Sequence, residues 1–216
     1  MATPKFDKLC IGFVKRIPTT FKTPFAAGNL MPDTYVLPAS EVQRYVNEGM
    51  KKLFNAKWNE SLQYAKGRPG KAVKYLIATF PELTRLTSTL SGVSYLIADP
   101  YLDIFRIVAG IGKDNQFIRV WNESKFAIAI SEEYPEYTAT NTNPALVQIN
   151  NTVSIFPSSL ASFEFKLQYI AMPINPDTGG ELVQNGTHDS LFMPHWDDAI
   201  IRAALEIYLE ESAETM

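Results

Sequence analysis

Leu146-Val147-Gln148-Ile149-Asn150-Asn151-Thr152-Val153-Ser154-Ile155-Phe156 holds the fold decision of this chain. Apolar and β-branched residues alternate with polar ones on both sides of an Asn-Asn pair. Asn tolerates the positive φ that a tight turn demands, so the stretch predicts a hairpin of strands Leu146–Ile149 and Thr152–Phe156. Pro157-Ser158-Ser159 then punctuates the chain. Downstream, Phe163, Phe165, Leu167 and Tyr169 alternate with Glu164, Lys166 and Gln168, which predicts a strand with one apolar and one wetter face. Upstream, Tyr95–Ile97, Ile104–Val108, Phe117–Val120 and Phe126–Ile130 are short apolar runs between turn residues and read as further strands. Gly110-Ile111-Gly112-Lys113 reads as a turn, because it lacks the spacing and the trailing Ser or Thr of a phosphate-cradling loop. Residues 93–172 are therefore expected to form an antiparallel β-region.

Before residue 93 the period is helical. Ser40 is placed to cap a helix and Gln43 to complete a capping box. Val42, Tyr45, Val46, Met50, Leu53, Phe54 and Trp58 then repeat at three-and-four spacing, predicting an amphipathic helix of about four to six turns. Gly67-Arg68-Pro69-Gly70 breaks it, Ala72–Thr79 resumes an apolar pattern, and Thr79-Phe80-Pro81-Glu82 offers another helix start. Leu83, Leu86 and Leu90 continue that second helical region, so residues 38–91 read as helical.

After residue 172 the chain enters a Pro-, Gly- and Asn-rich loop, 173–190, expected to be a protruding hairpin or a mobile tip. Pro194 opens a last helix, 194–212, with Asp197 and Asp198 in its first turn, where the helix dipole favours carboxylates. Trp196, Ile200, Ile201, Ala204, Leu205, Ile207 and Tyr208 cover much of its circumference, so it must touch more than one neighbour. The acidic end from Glu206 is expected to fray. At the other end, residues 1–37 carry Lys5, Lys8, Lys15, Arg16 and Lys22 with scattered prolines, and only Leu9–Ile17 reads as a strand. They are expected to be an extended arm lying across a neighbour. The fold class is α+β, with the arm followed by a single domain over 38–216.

A chain of 216 residues that is 46% hydrophobic and 20% charged can bury a core without disulfides or metals. The single cysteine, Cys10, cannot form an internal bridge, and the start Met-Ala-Thr-Pro-Lys lacks the apolar region that export needs, which points to a reducing cytoplasm. The glycosylation-like triplets at Asn59, Asn122, Asn150 and Asn185 then have no meaning. No apolar stretch approaches the ~20 residues of a bilayer span. Charge is divided along the chain: residues 1–86 carry 14 Lys+Arg against 6 Asp+Glu, and residues 87–216 carry 6 against 17. Such polarity suits head-to-tail stacking of subunits, or else reflects two solvated faces of different sign.

The candidates for chemistry are weak. His188, Asp189, His195, Asp197 and Asp198 are ligand-type residues crowded together, but two histidines seven apart across Pro194 share no helix face, and no third His exists. Cys10 has no evident His and Asn companions and reads as a packing residue. Glu132-Glu133 is the kind of pair any acidic domain supplies. Neither a catalytic residue, nor a metal ligand, nor a cofactor is expected. The lysines, including Lys51, Lys52, Lys57, Lys71 and Lys74, lie mainly on predicted solvent faces and suit DNA passing through a channel without specific readout.

The order of elements resembles that of the short head-to-tail adaptor and tail-tubular proteins of podovirus-type phages. Glu41-Val42-Gln43-Arg44-Tyr45-Val46-Asn47 is similar to a helix near the start of that family. Asn150–Pro157 followed by Phe165–Pro173, and the closing Met193–Ala204, are similar to its later strands and last helix. The Asn-rich, aromatic-rich composition also resembles the ring proteins of crAss-like gut phages. The resemblance implies a virion protein assembled in the host cytoplasm, a homo-oligomeric ring of twelve copies beneath the portal, contacts with portal and other connector or tail proteins, and no enzymatic site. A ring needs a heterologous interface. Phe6, Phe13, Phe21 and Phe25 of the arm and Trp196, Ile200, Ile201, Leu205 and Tyr208 of the last helix are the residues expected to form it. The alternatives are another tail-tube, baseplate or muzzle component, or an intracellular ligand-binding β-rich module using Trp121, Tyr134 and Tyr137 as a platform.

Overall fold

The computed structural model describes residues 5–17, 37–91, 94–96, 103–112, 116–122, 138–149, 152–157 and 164–214. The fold is α+β, as expected. Where a single domain was expected from residue 38, the chain divides into two compact units: one built from both chain ends, 1–83 and 172–216, and one inserted between them, 84–171.

The unit made by the chain ends is helical. α1 spans Lys5–Arg16, α2 Ala39–Tyr64, α3 Pro69–Thr79, and α4 Asp197–Glu214, the last entered through a 3-10 turn at Pro194–Trp196. Two sequence expectations are corrected at its start. Leu9–Ile17 is not a strand but most of α1, and residues 5–16 are not an extended arm. Phe6, Leu9, Cys10, Phe13 and Val14 are buried at helical spacing, so a complete apolar stripe faces α2 and α4. Residues 18–36 of the expected arm lie outside the described residues. Nor does Ser40 cap α2: Pro38 holds the N-cap position with no side-chain bond.

α2 runs 26 residues, longer than expected, and buries Val42, Tyr45, Val46, Gly49, Met50 and Phe54 along one stripe. α4 crosses it at Gly49, where the missing side chain lets the helices approach. At one end of this crossing Phe13, Tyr45 and Tyr208 form a three-ring cluster with centroids 5.4 to 6.1 Å apart. Each such edge or stacked pair adds about 0.5–1.5 kcal/mol beyond its area. The acidic end does not fray from Glu206. The helix continues to Glu214, held by Lys52 on Glu206 at 2.9 Å and Arg44 on Glu211 at 2.8 Å.

The described residues of the inserted unit form a mixed sheet of eight strands: β1 Thr84–Leu86, β2 Leu90–Ser91, β3 Ser94–Leu96, β4 Ile104–Gly112, β5 Phe117–Asn122, β6 Ala145–Ile149, β7 Thr152–Phe156 and β8 Glu164–Ala171. Their order is β1-β8-β4-β5-β6-β7-β3, with β2 also on β8. The predicted hairpin is present, with Ile149 opposite Thr152 and Leu146 opposite Ile155. All pairs are antiparallel except β5 with β6. Leu90, Ile107, Ile118, Leu146, Val153, Ile155, Phe165 and Leu167 form its core. Phe126–Ile130 lies outside the described residues.

The helix expected through Leu83, Leu86 and Leu90 is corrected. A 3-10 turn at Pro81–Leu83 leads into β1 and β2, whose backbones complete the outer edge of β8. Gly110–Gly112 is likewise not a turn but the end of β4, where a side chain on Gly110 would collide with Leu146.

Folding the two ends together also removes the electrical polarity of the sequence. The unit from 1–83 and 172–216 holds 14 Lys+Arg and 15 Asp+Glu, and the inserted unit 6 and 8. The opposite charges of the two sequence halves thus fall largely within one unit.

Candidate functional site

The most elaborate polar architecture of the helical unit is the segment 172–193. It has no regular structure but forms a strap over α1 and α2, in place of the expected protruding or mobile loop. Its first anchor is Asn47, fully buried on α2. The Asn47 amide donates to the Leu182 carbonyl at 2.9 Å and to the Gln43 carbonyl at 2.7 Å, while its oxygen accepts the Leu182 N–H at 2.9 Å. The strap's backbone thus finds in one side chain the donor and acceptor that a strand neighbour would give.

Two further anchors lie at the start of α1. The Asn185 N–H donates to Asp7 Oδ1 at 3.2 Å, and Asp189 accepts the Lys5 and Phe6 N–H groups. Those amides have no partner inside α1, so a carboxylate there satisfies them and meets the positive end of the helix dipole. Leu182 and Phe192 fill the hydrophobic underside, and Phe192 packs edge-on against Phe80 at 5.1 Å. At the strap's outer side His188 Nε2 and Asp177 Oδ2 stand 2.6 Å apart.

The residues expected at a subunit interface fall mostly inside the chain. Phe6, Phe13, Ile200, Ile201 and Tyr208 are buried against other elements of the helical unit, and Leu205 is half-buried. Their apolar surface is satisfied without a second copy, which removes the ground for placing them between copies. Trp196 is also half-buried, edge-on to Phe80 at 4.9 Å, and its indole N–H has no acceptor among the described residues. Phe21 and Phe25 lie outside the described residues. So do Tyr134 and Tyr137 of the alternative platform, while Trp121 is buried. Among the described residues the large apolar side chains that remain open are Tyr64, Tyr75, Leu86, Phe117, Val183, Met193 and Leu209.

Among the described residues the candidates for chemistry are not assembled into a centre, and Glu132 and Glu133 lie outside those residues. His188 pairs with Asp177, whereas His195 is exposed with its ring 5.0 Å from that of Trp196. Burial pushes the Asp197 carboxyl up. Among the described residues no three His, Cys, Asp or Glu side chains are grouped to hold a metal ion. Cys10 is fully buried, and burial pushes its thiol above the usual range, which disfavours the thiolate. Among the described residues no helix is long and apolar enough to cross a membrane.

No family model matches this sequence, and no curated protein matches it either.

In the inserted unit, sequence reasoning missed Asp103. Its carboxyl is buried between Arg85, with Nη1 3.3 Å from Oδ2, and the Tyr169 hydroxyl, 3.4 Å from Oδ1. Burial pushes this carboxyl up against the opposing pull of Arg85. The three residues come from β1, the turn just before β4 and β8, and no local pattern announces them. Asn47 and Asp189 were equally hidden, since an Asn on a helix stripe and an Asp in a loop are ordinary until their partners are known.

Proposed function

We propose that this chain is a non-catalytic structural subunit of a tailed-phage virion, one that forms a ring in the connector between portal and tail. The observation that carries this reading is where the polar side chains with long-range partners go. Asp7, Asn47, Asp189, Arg44, Tyr45, Glu211 and Asp103 all bind other protein groups that hold the fold together. Polar groups committed in this way build a rigid part, whereas a catalytic site keeps them aimed at a vacant reacting position. The resemblance of the element order to head-to-tail adaptors supplies the location, and closed rings supply the reason for rigidity.

The interface follows from what the fold leaves open. A heterologous ring contact joins one patch to a different one on the next copy. Leu86 and Phe117 of the sheet and Val183, Met193 and Leu209 of the helical unit are the exposed apolar residues suited to it. The mass of the native assembly tests the reading, measured by light scattering across concentration and then by electron microscopy of any ring. A closed oligomer of fixed size supports it. A monomer at every concentration, alone and with portal protein, sinks it.

A further inference from the structure

We propose that the turn joining α2 and α3 is a binding surface for single-stranded nucleic acid. Residues 61–81 carry Lys66, Arg68, Lys71 and Lys74 and no Asp or Glu. All four side chains are exposed, and none has an ion-pair partner among the described residues. On the neighbouring helices Arg16, Arg44, Lys52 and Lys57 are each paired with a carboxylate. This turn therefore holds a compact cationic patch that no carboxylate among the described residues pairs with.

Two aromatic rings stand in the same patch. Tyr64, the last residue of α2, is 67% exposed and Tyr75 of α3 is 49% exposed, with ring centroids 6.0 Å apart. Lys71, Lys74 and Tyr75 share the outer face of α3, since Ala72, Val73 and Leu76 face inward. The turn itself is fixed. Lys66 and Gly67 both adopt positive φ, 51° and 70°, and the Gly67 N–H returns to the Leu62 carbonyl at 2.8 Å. Ala65 beneath it is buried. The rings and cations are thus presented on a preformed platform.

Their combination selects the ligand. Lysine and arginine bind a phosphodiester backbone by releasing its counterions. Aromatic faces stack on bases only where bases are unpaired, so the rings are useful against a single strand and idle against a duplex. An acidic peptide would use the cations but has no need of paired rings. The inference does not depend on the ring-subunit reading, and its failure would leave the mass of the assembly untouched.

The test is fluorescence anisotropy of the full chain with a labelled oligothymidylate and a labelled duplex, each of roughly 20 nucleotides or base pairs, titrated across salt. The single strand should bind more tightly than the duplex. R68Q/K71Q/K74Q should weaken it at least about tenfold and flatten its salt dependence, while Y64A/Y75A should weaken it about tenfold with the salt slope kept. Thermal melting of each variant checks that the fold is retained, and if the triple variant fails to fold, the single change K74Q is read for its smaller loss. No binding by the wild-type chain at about 50 mM salt overturns the proposal. So does equal binding of the duplex with no effect of the tyrosines, or equal competition by polyglutamate, which would mark the patch as a site for an acidic protein.

Discussion

Asp189 closes the first turn of α1 from 183 residues away, its Oδ1 accepting the Phe6 N–H at 2.6 Å and its Oδ2 the Lys5 N–H at 2.8 Å. The same carboxylate takes the Ser190 N–H at 2.8 Å, so one side chain fixes both the helix start and the strap that caps it. A helix is normally capped by a residue just before it. Here the cap arrives from the far end of the chain, and forming α1 is coupled to closing the strap.

Asp189→Ala should cost about 1–2 kcal/mol in urea unfolding, in the range of a lost N-cap. Asp189→Asn keeps one acceptor and should lose less. The decisive readout is amide exchange at Lys5 and Phe6, which should accelerate in the alanine variant. Unchanged exchange there would show that the cap does not hold α1.

Asn47→Leu should be worse than its conservative volume suggests. It strips the Leu182 N–H and carbonyl of the Asn47 side chain that binds both and leaves two backbone groups buried, at about 1–3 kcal/mol each. Limited proteolysis should then cut at the exposed Gly179 sooner than in the parent chain. If cleavage and stability stay at parental values, Asn47 does not anchor the strap.

These long-range anchors explain what the sequence could and could not disclose. The hairpin at Asn150-Asn151 and the stripe of α2 were legible because each is written in consecutive residues. α1 was legible too but was misread: Phe6, Leu9, Cys10, Phe13 and Val14 are a helical stripe, and beginning the run at Leu9 hid its period. Leu83, Leu86 and Leu90 had the opposite fate. Their spacing is helical, yet the free edge of β8 takes the backbone on either side of Thr87 into strands, leaving Leu86 exposed and Leu90 buried on Phe165's strand. The charge division misled for a third reason, because a total along the sequence does not show that the acidic end returns to the basic beginning. The cationic turn at Lys66–Lys74 was visible as composition, but only the fold places Tyr64 beside Tyr75.

Glu211 should make stability acid-sensitive. Hydrogen bonds from Arg44, and then from Tyr45, hold its carboxyl below the ordinary 4.5, at about 2. A carboxyl lowered by folding contributes stability that is complete above the unfolded value and is lost as pH falls from 4.5 towards 2. The stability difference between the parent chain and Glu211→Gln should therefore shrink across that window. A difference independent of pH would show that the carboxylate is not preferentially bound in the folded chain.

Gly49 offers a test of the α2–α4 crossing. A side chain there would place its Cβ 2.8 Å from the Ile200 carbonyl oxygen and 2.9 Å from the Ala204 nitrogen, both backbone atoms that cannot swing aside. Gly49→Ala gains about 1 kcal/mol of helix propensity but overpacks the crossing by more, for a net loss of about 1–3 kcal/mol. Gly70→Ala is the control. That position in α3 has open space around it, and the same change should be stabilising by about 0.5 kcal/mol. Chemical denaturation of both variants should give opposite signs, and a stabilised Gly49→Ala would mean that the helices are free to part.

Arg85 and Asp103 should behave as a coupled pair whose halves are not equivalent. The Asp103 side chain is 1% exposed and Arg85 39%, so removing the arginine leaves a buried carboxylate with the distant Tyr169 hydroxyl, while removing the carboxylate leaves a cation that water can reach. Arg85→Leu should cost about 1–3 kcal/mol, at the lower end for a buried pair because Arg85 is partly screened. Asp103→Asn should be close to neutral at pH 7. Because burial raises the Asp103 carboxyl, folding favours its protonated form, and that contribution is present at low pH and lost as pH rises through the folded value. Asp103→Asn should accordingly compare best with the parent at neutral pH and lose that advantage in acid. The double variant should recover most of the Arg85→Leu loss, since no charge then remains to be paired. Additive losses in that cycle would mean that the two groups do not interact in the folded sheet.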